Sequence, residues 1–398
     1  MDHAALAGEH AQGCRIRDAD GAVTGTGPAW PGGDKYPVID ILRGAAALTV
    51  VVYHVIAMTG WPGFPTSHGR LVFSYGWVGV NLFLVISGFV IGLTALNGYA
   101  RNGSGFRAPY VRRRLARILP LYLLTGVVYV LLVESSLLQG PISNLVKQVA
   151  VHLLFVHNFS ESTFGTINGP NWSVALEMQF YLLVLFITPW LARAPAWTTL
   201  VSGLAAAMLF RWASTLVLVP GVAPTMQQHV VSVWLPGVLD HFALGIFLAK
   251  AVRGEAGSRL QACLRTGWRP FVAWALVAAV LLRLAGWVLV DRPYWDNPLM
   301  IVGFPTLLAA GLSALVAAAI TFPHPRSLLH RPLRYLGEIS YGIYLWHVPV
   351  ILSVIQRKLD WREDRLLTFV LVATVLLAAA TWHLVEKPAL DALQKDKA

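Results

Sequence analysis

The chain has 398 residues, 56% of them hydrophobic and only 13% charged, where soluble domains carry about 25% charged residues. That balance excludes an ordinary soluble protein and leaves no room for a sizeable soluble domain. The net charge of +11 is spread through short loops, which is the pattern of membrane-topology signals rather than of a nucleic-acid surface.

Residues 1–35 are polar, rich in Gly and Ala, and lack the apolar stretch of a signal peptide. They are expected to form a disordered cytoplasmic tail, with the first membrane helix acting as an uncleaved insertion signal. The two cysteines, Cys14 and Cys263, do not report a redox compartment. Ten apolar segments approach the length of about 20 residues that crosses hydrocarbon. They fall at 39–58, 77–97, 115–134, 171–191, 196–218, 233–252, 270–290, 299–321, 338–356 and 366–385. Arg101, Arg107 and Arg112 to Arg114 crowd the loop after the second segment. Arg253, Arg259, Arg265 and Arg269 follow the sixth, and Arg326, Arg331 and Arg334 follow the eighth. The alternate loops carry little beyond Arg70, Lys147 and Arg292, although Arg357, Lys358, Arg362 and Arg365 depart from the pattern. The positive-inside rule then puts both termini in the cytoplasm. The expected fold is an all-α, polytopic membrane bundle, with one membrane-embedded domain over 36–388, a short tail over 389–398 and no appended hydrolase. The longest outer connection, 135–170, holds an apolar piece from Leu145 to Phe155 that is too short to span, and Gly165, Gly169 and Pro170 break the chain after it.

The first segment carries Arg43 near one end and His54 inside it. At about 100° per residue the two fall within roughly 20° of one another on one helical stripe, about 16 Å apart along the axis. Arg43 can snorkel to the interface, whereas His54 lies too deep for that. In the second segment Gly79, Ser87 and Gly88 are small residues that permit close helix packing. At the start of the third, Arg114 and Arg117 are three residues apart and share a face. Guanidinium forks of this kind suit the phosphates of a nucleotide-bearing donor, while Arg112 and Arg113 read as topology anchors. Glu177 lies about two turns into its segment and needs a partner, either His54, which it would orient, or an intramembrane arginine such as Arg211 or Arg283. His347 is a second intramembrane imidazole. No metal-ligand spacing is present, and no glycine loop for nucleotide hydrolysis.

Together these blocks resemble the acyltransferase-3 family of bacterial membrane O-acyltransferases. The resemblance rests on Arg43 with His54, Gly79-Val80 through Ser87-Gly88-Phe89, and Arg113-Arg114-Leu115-Ala116-Arg117-Ile118. It continues in Trp172-Ser173 through Glu177 and Phe180-Tyr181, Ile339-Ser340-Tyr341 through His347, and Val385-Glu386-Lys387-Pro388. Many members carry a second acidic residue after the glutamate, where this chain has Met178. The resemblance implies transfer of an acyl group, commonly acetyl, from cytoplasmic acyl-CoA to a sugar hydroxyl at or across the bacterial inner membrane. Acyl-CoA is then a co-substrate rather than a bound cofactor, and the acceptor is a carbohydrate or glycolipid. On this reading Arg43, Arg113, Arg114 and Arg117 hold the donor's phosphates, and His54, Glu177 and Arg43 form the catalytic set. Ser173, Tyr344 and His347 contact the acceptor. The rival class is a proton-coupled transporter or flippase, which also uses intramembrane His and Glu. The absence of an internal inverted repeat and the long outer connection argue against it.

Overall fold

A computed structural model describes residues 36–60, 73–290, 292–323, 330–357 and 361–395. The expected tail over 1–35 and the loop cations Arg70, Arg326 and Lys358 lie outside the described residues. Helices dominate, and among the described residues there is no strand.

Helix α1 (Pro37–Thr59) begins on a proline, whose missing N–H is one that a helix start leaves unbonded anyway, and stops at Gly60 in the left-handed region (φ 67°). Helices α2 (Val78–Asn102) and α3 (Arg107–Leu132) are joined by a single 3-10 turn at Gly103–Phe106. The second and third expected segments thus form one apolar stretch over Val78–Leu132 with a turn inside it. The 135–170 connection contains α4 (Ile142–Leu153), too short to span, and α5 (Asn171–Arg193) follows. Then come α6 (Ala196–Val217), the short α7 (Thr225–Ser232), α8 (Leu239–Val252), α9 (Trp268–Val290) and α10 (Pro298–Thr321). The expected 338–356 helix is broken. Helix α11 (His330–Glu338) meets α12 (Ser340–Gln356) at 65°. Helix α13 (Glu363–Thr381) passes through a π turn at Trp382–Glu386 into α14 (Lys387–Lys395). Pro388 accounts for the widened turn, because it has no N–H for the Leu384 carbonyl and its ring would collide with that oxygen in a regular helix.

Helix α2 is the central post, packing against α1, α5, α8 and α10. Its crossing with α8 is backbone on backbone. A Cβ on Gly88 would run into the Phe242 carbonyl, and one on Gly245 into that of Val85. Gly79 sits as closely on α1, where a Cβ would lie 2.7 Å from the Ala46 carbonyl oxygen. The glycines of the second segment therefore do the close packing expected of small residues in lipid. Ser87 faces elsewhere. Helix α9 packs mainly on α10 and buries little besides Ala278 and Ala285.

Candidate active site

A cavity of about 130 Å³ opens among α1, α2, α3, α5 and α12. Its lining includes Arg43, Arg114 and Arg117, with Tyr181 against Arg114, then Ser87 and Glu177, and Ser173 with Tyr344.

The arginines expected to act together are in different states. Arg117 donates to Glu386 Oε2 at 2.9 Å and to the Glu338 carbonyl at 2.9 Å, with its guanidinium 4.8 Å above the Trp382 ring. Glu386 is fully buried. A buried carboxylate needs such a partner, so Arg117 is already committed to the bend between α11 and α12 and to the π turn. Arg114 forms no hydrogen bond among the described residues. Its guanidinium lies between the Tyr110 and Tyr181 rings, at 5.6 and 5.4 Å, and its buried Nε has no partner. Arg43 makes a loose pair with Asp40 at 3.9 Å. Arg113 is exposed beside Arg112 and does not line the cavity, as a topology anchor would be placed.

Glu177 meets neither of the partners expected for it. Its Oε1 accepts from Tyr181 Oη at 2.5 Å and from Ser87 Oγ at 3.0 Å. Arg211 is bound to Asp240 instead, and Arg283 is exposed on α9. Ser87 and Tyr181 had only a packing reading or none. The signal for Tyr181 was its spacing from Glu177, one helical turn along the same face.

His54 finds its partner in α12. Its Nδ1 lies 3.0 Å from the Val50 carbonyl and 3.2 Å from His347 Nε2. His347 is fully buried, and its own Nδ1 lies 2.5 Å from the Tyr344 carbonyl. Only one arrangement of protons suits all three contacts. His347 donates from Nδ1 to the Tyr344 carbonyl and accepts at Nε2, and His54 Nδ1–H is shared between Val50 and His347. His54 Nε2, which makes no hydrogen bond among the described residues, then carries a lone pair. His347 thus stands behind His54. The histidine pair lies beyond the wall of the cavity, separated from it by Tyr344, whose side chain lines the space. Ser173 Oγ and Tyr344 Oη are 2.7 Å apart and share the Pro170 carbonyl as acceptor.

The described bundle coincides with a known family. The acyltransferase domain family matches residues 36–384. The chain is 27% identical to a putative peptidoglycan O-acetyltransferase of Bacillus subtilis over 88% of its own length and 54% of the relative's. It is 26% identical to the peptidoglycan O-acetyltransferase of Listeria monocytogenes, over 89% of this chain and 56% of that one. Against an O-acetyltransferase of Staphylococcus aureus it is 24% identical, over 88% and 57%. The chain therefore spans just over half the length of these curated relatives. No solved structure gives a significant match. With that family covering nearly all of the helical bundle, the chain belongs to the acyltransferase-3 family.

Proposed function

We propose that the chain transfers an acyl group, most simply acetyl, from cytoplasmic acyl-CoA to a hydroxyl of a cell-envelope glycan. The observation that carries this reading is the His54–His347 pair. A neutral imidazole held at Nδ1, with Nε2 open, is a general base ready to take a hydroxyl proton. The proton of the acceptor hydroxyl passes to His54 Nε2 as its oxygen attacks the thioester carbonyl. The C–S bond breaks, an ester forms, and the proton on His54 goes to the departing thiolate to give free CoA. His347 holds the reactive tautomer, and its burial keeps His54 from turning.

The arginine-lined end of the cavity fits the donor's phosphates. Arg114 is its uncommitted guanidinium, with Arg43 beside it. Glu177 serves inside the cavity through Tyr181 and Ser87, not through the base. The positive-inside pattern of the loop arginines supports a cytoplasmic α2–α3 turn and an outer 135–170 connection, with donor and acceptor approaching from opposite faces. The relatives' names, which specify peptidoglycan O-acetylation, support a glycan acceptor. The test is to incubate the purified chain with radiolabelled acetyl-CoA and a panel of cell-envelope glycans. Label on a glycan, lost in His54→Gln, is expected. Release of CoA with label on no glycan, or a His54→Gln chain that still labels, overturns the assignment.

A further inference from the structure

On the side of the 135–170 connection, four aromatic rings from four separate elements meet. Phe164 comes from the connection, Trp172 from the first turn of α5, His229 from α7, and Trp295 from the segment before α10. Phe164 and Trp172 lie nearly parallel, 5.6 Å apart at 20°. His229 stands edge-on to both, at 5.5 and 6.0 Å, and edge-on to Trp295 at 6.0 Å. All four are half-buried. Rings that only anchor a bundle in a bilayer spread around its perimeter, whereas these converge on each other. Trp172 also adjoins Ser173, which lines the cavity.

Near the rings are buried polar atoms with no hydrogen-bond partner among the described residues. Asn158 Nδ2, Asn171 Oδ1, Gln179 Oε1 and Trp234 Nε1 are all buried and unpaired. They belong to one place. Gln179 Nε2 donates to Asn158 Oδ1 at 2.8 Å, Asn171 precedes Trp172, and the Phe159 ring next to Asn158 packs on Trp234 at 5.3 Å. Buried amides left without partners are uncommon and costly, and they mark a place that a polar ligand or ordered water completes. Aromatic faces for C–H surfaces with amides for hydroxyls make the chemistry of a sugar site.

We propose that this cluster is the docking platform for the acceptor glycan, with Trp172 and Trp295 as its stacking surfaces and Trp172 guiding the chain toward Ser173. The proposal rests on the glycan acceptor argued above and names where that acceptor binds.

The test uses the full chain in detergent micelles, with a β-1,4-linked N-acetylglucosamine pentamer and uncrosslinked peptidoglycan strands as probes. Stacking of one ring is worth up to about 1.5 kcal/mol, or at most roughly tenfold in affinity. Trp172→Ala and Trp295→Ala should each raise the glycan KM up to about tenfold, with kcat changed less than about twofold and the acetyl-CoA KM unmoved. Trp172→Phe, which keeps a ring, should recover most of the loss. Binding of the pentamer, followed by ligand-observed NMR without any donor, separates this proposal from the catalytic one. If the wild-type chain binds the pentamer and the alanine variants do not, the platform stands even where no transfer is seen. A wild-type chain that binds neither probe, or folded alanine variants with unchanged binding and KM, overturns it.

Discussion

Two sets of charged side chains are buried in this bundle, and they are finished differently. Around Arg211 nearly every group has its complement. Arg211 donates to the Gly237 carbonyl, to Asp240 and to Thr306, at 2.7–2.9 Å. Asp240 accepts from the backbone and ring nitrogens of His241, and His241 Nε2 accepts from Asn81 at 2.9 Å. Arg211, Asp240 and His241 have no exposure at all. This network ties α2, α6, α8 and α10 together and leaves a single guanidinium nitrogen, Arg211 Nε, without a partner. The cavity and the histidine pair beyond its wall are the reverse. Arg114 has ring faces but no hydrogen bond, Glu177 is half-buried, and His54 keeps a bare nitrogen. A buried charge network that closes on itself supports the fold, whereas one that stays open supplies binding and chemistry. Composition does not separate them, since each contains Arg, His and a carboxylate.

The contrast breaks most sharply at His54. His54→Gln should lower acetyl transfer on the order of a hundredfold to ten-thousandfold, the usual share of a general base, with the melting temperature in micelles unchanged. Transfer near wild type in that variant would remove the base assignment. Asp240→Ala should do the opposite. It strands Arg211, at a cost of about 3–5 kcal/mol, so the yield of folded protein and its melting temperature fall while transfer per folded molecule holds. Equal loss of turnover would erase the distinction between the two networks.

A subtler pair lies within the cavity. Arg114→Ala should weaken the donor tenfold to a hundredfold, since a charge-assisted hydrogen bond is worth about 1.5–3 kcal/mol, without loss of stability. Arg117→Ala should instead destabilise, because Glu386 is left buried and unpaired, and adding Glu386→Gln should restore most of that stability. Donor titration and thermal melts on the same preparations decide it. If Arg117→Ala melts like wild type, its pairing with Glu386 carries no weight.

The smallest effect concerns pH. In the outer connection the His152 and His157 rings are stacked 3.9 Å apart at 5°. Burial lowers both, and His152 alongside helps to push His157 down to about 3 from its usual 6.5. The folded state thus prefers them neutral. Stability is full above pH 6.5 and is lost as pH falls below it, by about 1.4 kcal/mol per unit for each ring until its folded value is reached. A melt series from pH 7.5 to 5 should show this slope, and His157→Phe should flatten it. A slope unchanged in that variant places the titration elsewhere.

Much of this architecture was legible in the sequence. Apolar length marked the spans, and an eleven-residue spacing put Arg43 and His54 on one stripe. What stayed hidden is the rotation of each helix against its neighbours. Ser87 and Gly88 read alike as small residues, yet adjacent helical positions are about 100° apart. Gly88 therefore meets α8 while Ser87 meets Glu177. His347 is 293 residues from His54, and no local pattern joins them. Asp240 and His241 lie in an apolar segment, 29 or more residues from Arg211, and no local pattern joins them to it. The break at residue 339 and the π turn were not visible as changes in hydropathy.

Arg117 has a mechanical consequence. One guanidinium holds both irregularities of the C-terminal helices, the bend through the Glu338 carbonyl and the π turn through Glu386. It works as a rivet that joins α3 to the end of α11 and to the π turn after α13. Across the cavity, α2 reaches Glu177 of α5 through the Ser87 hydroxyl, a bond that water can replace.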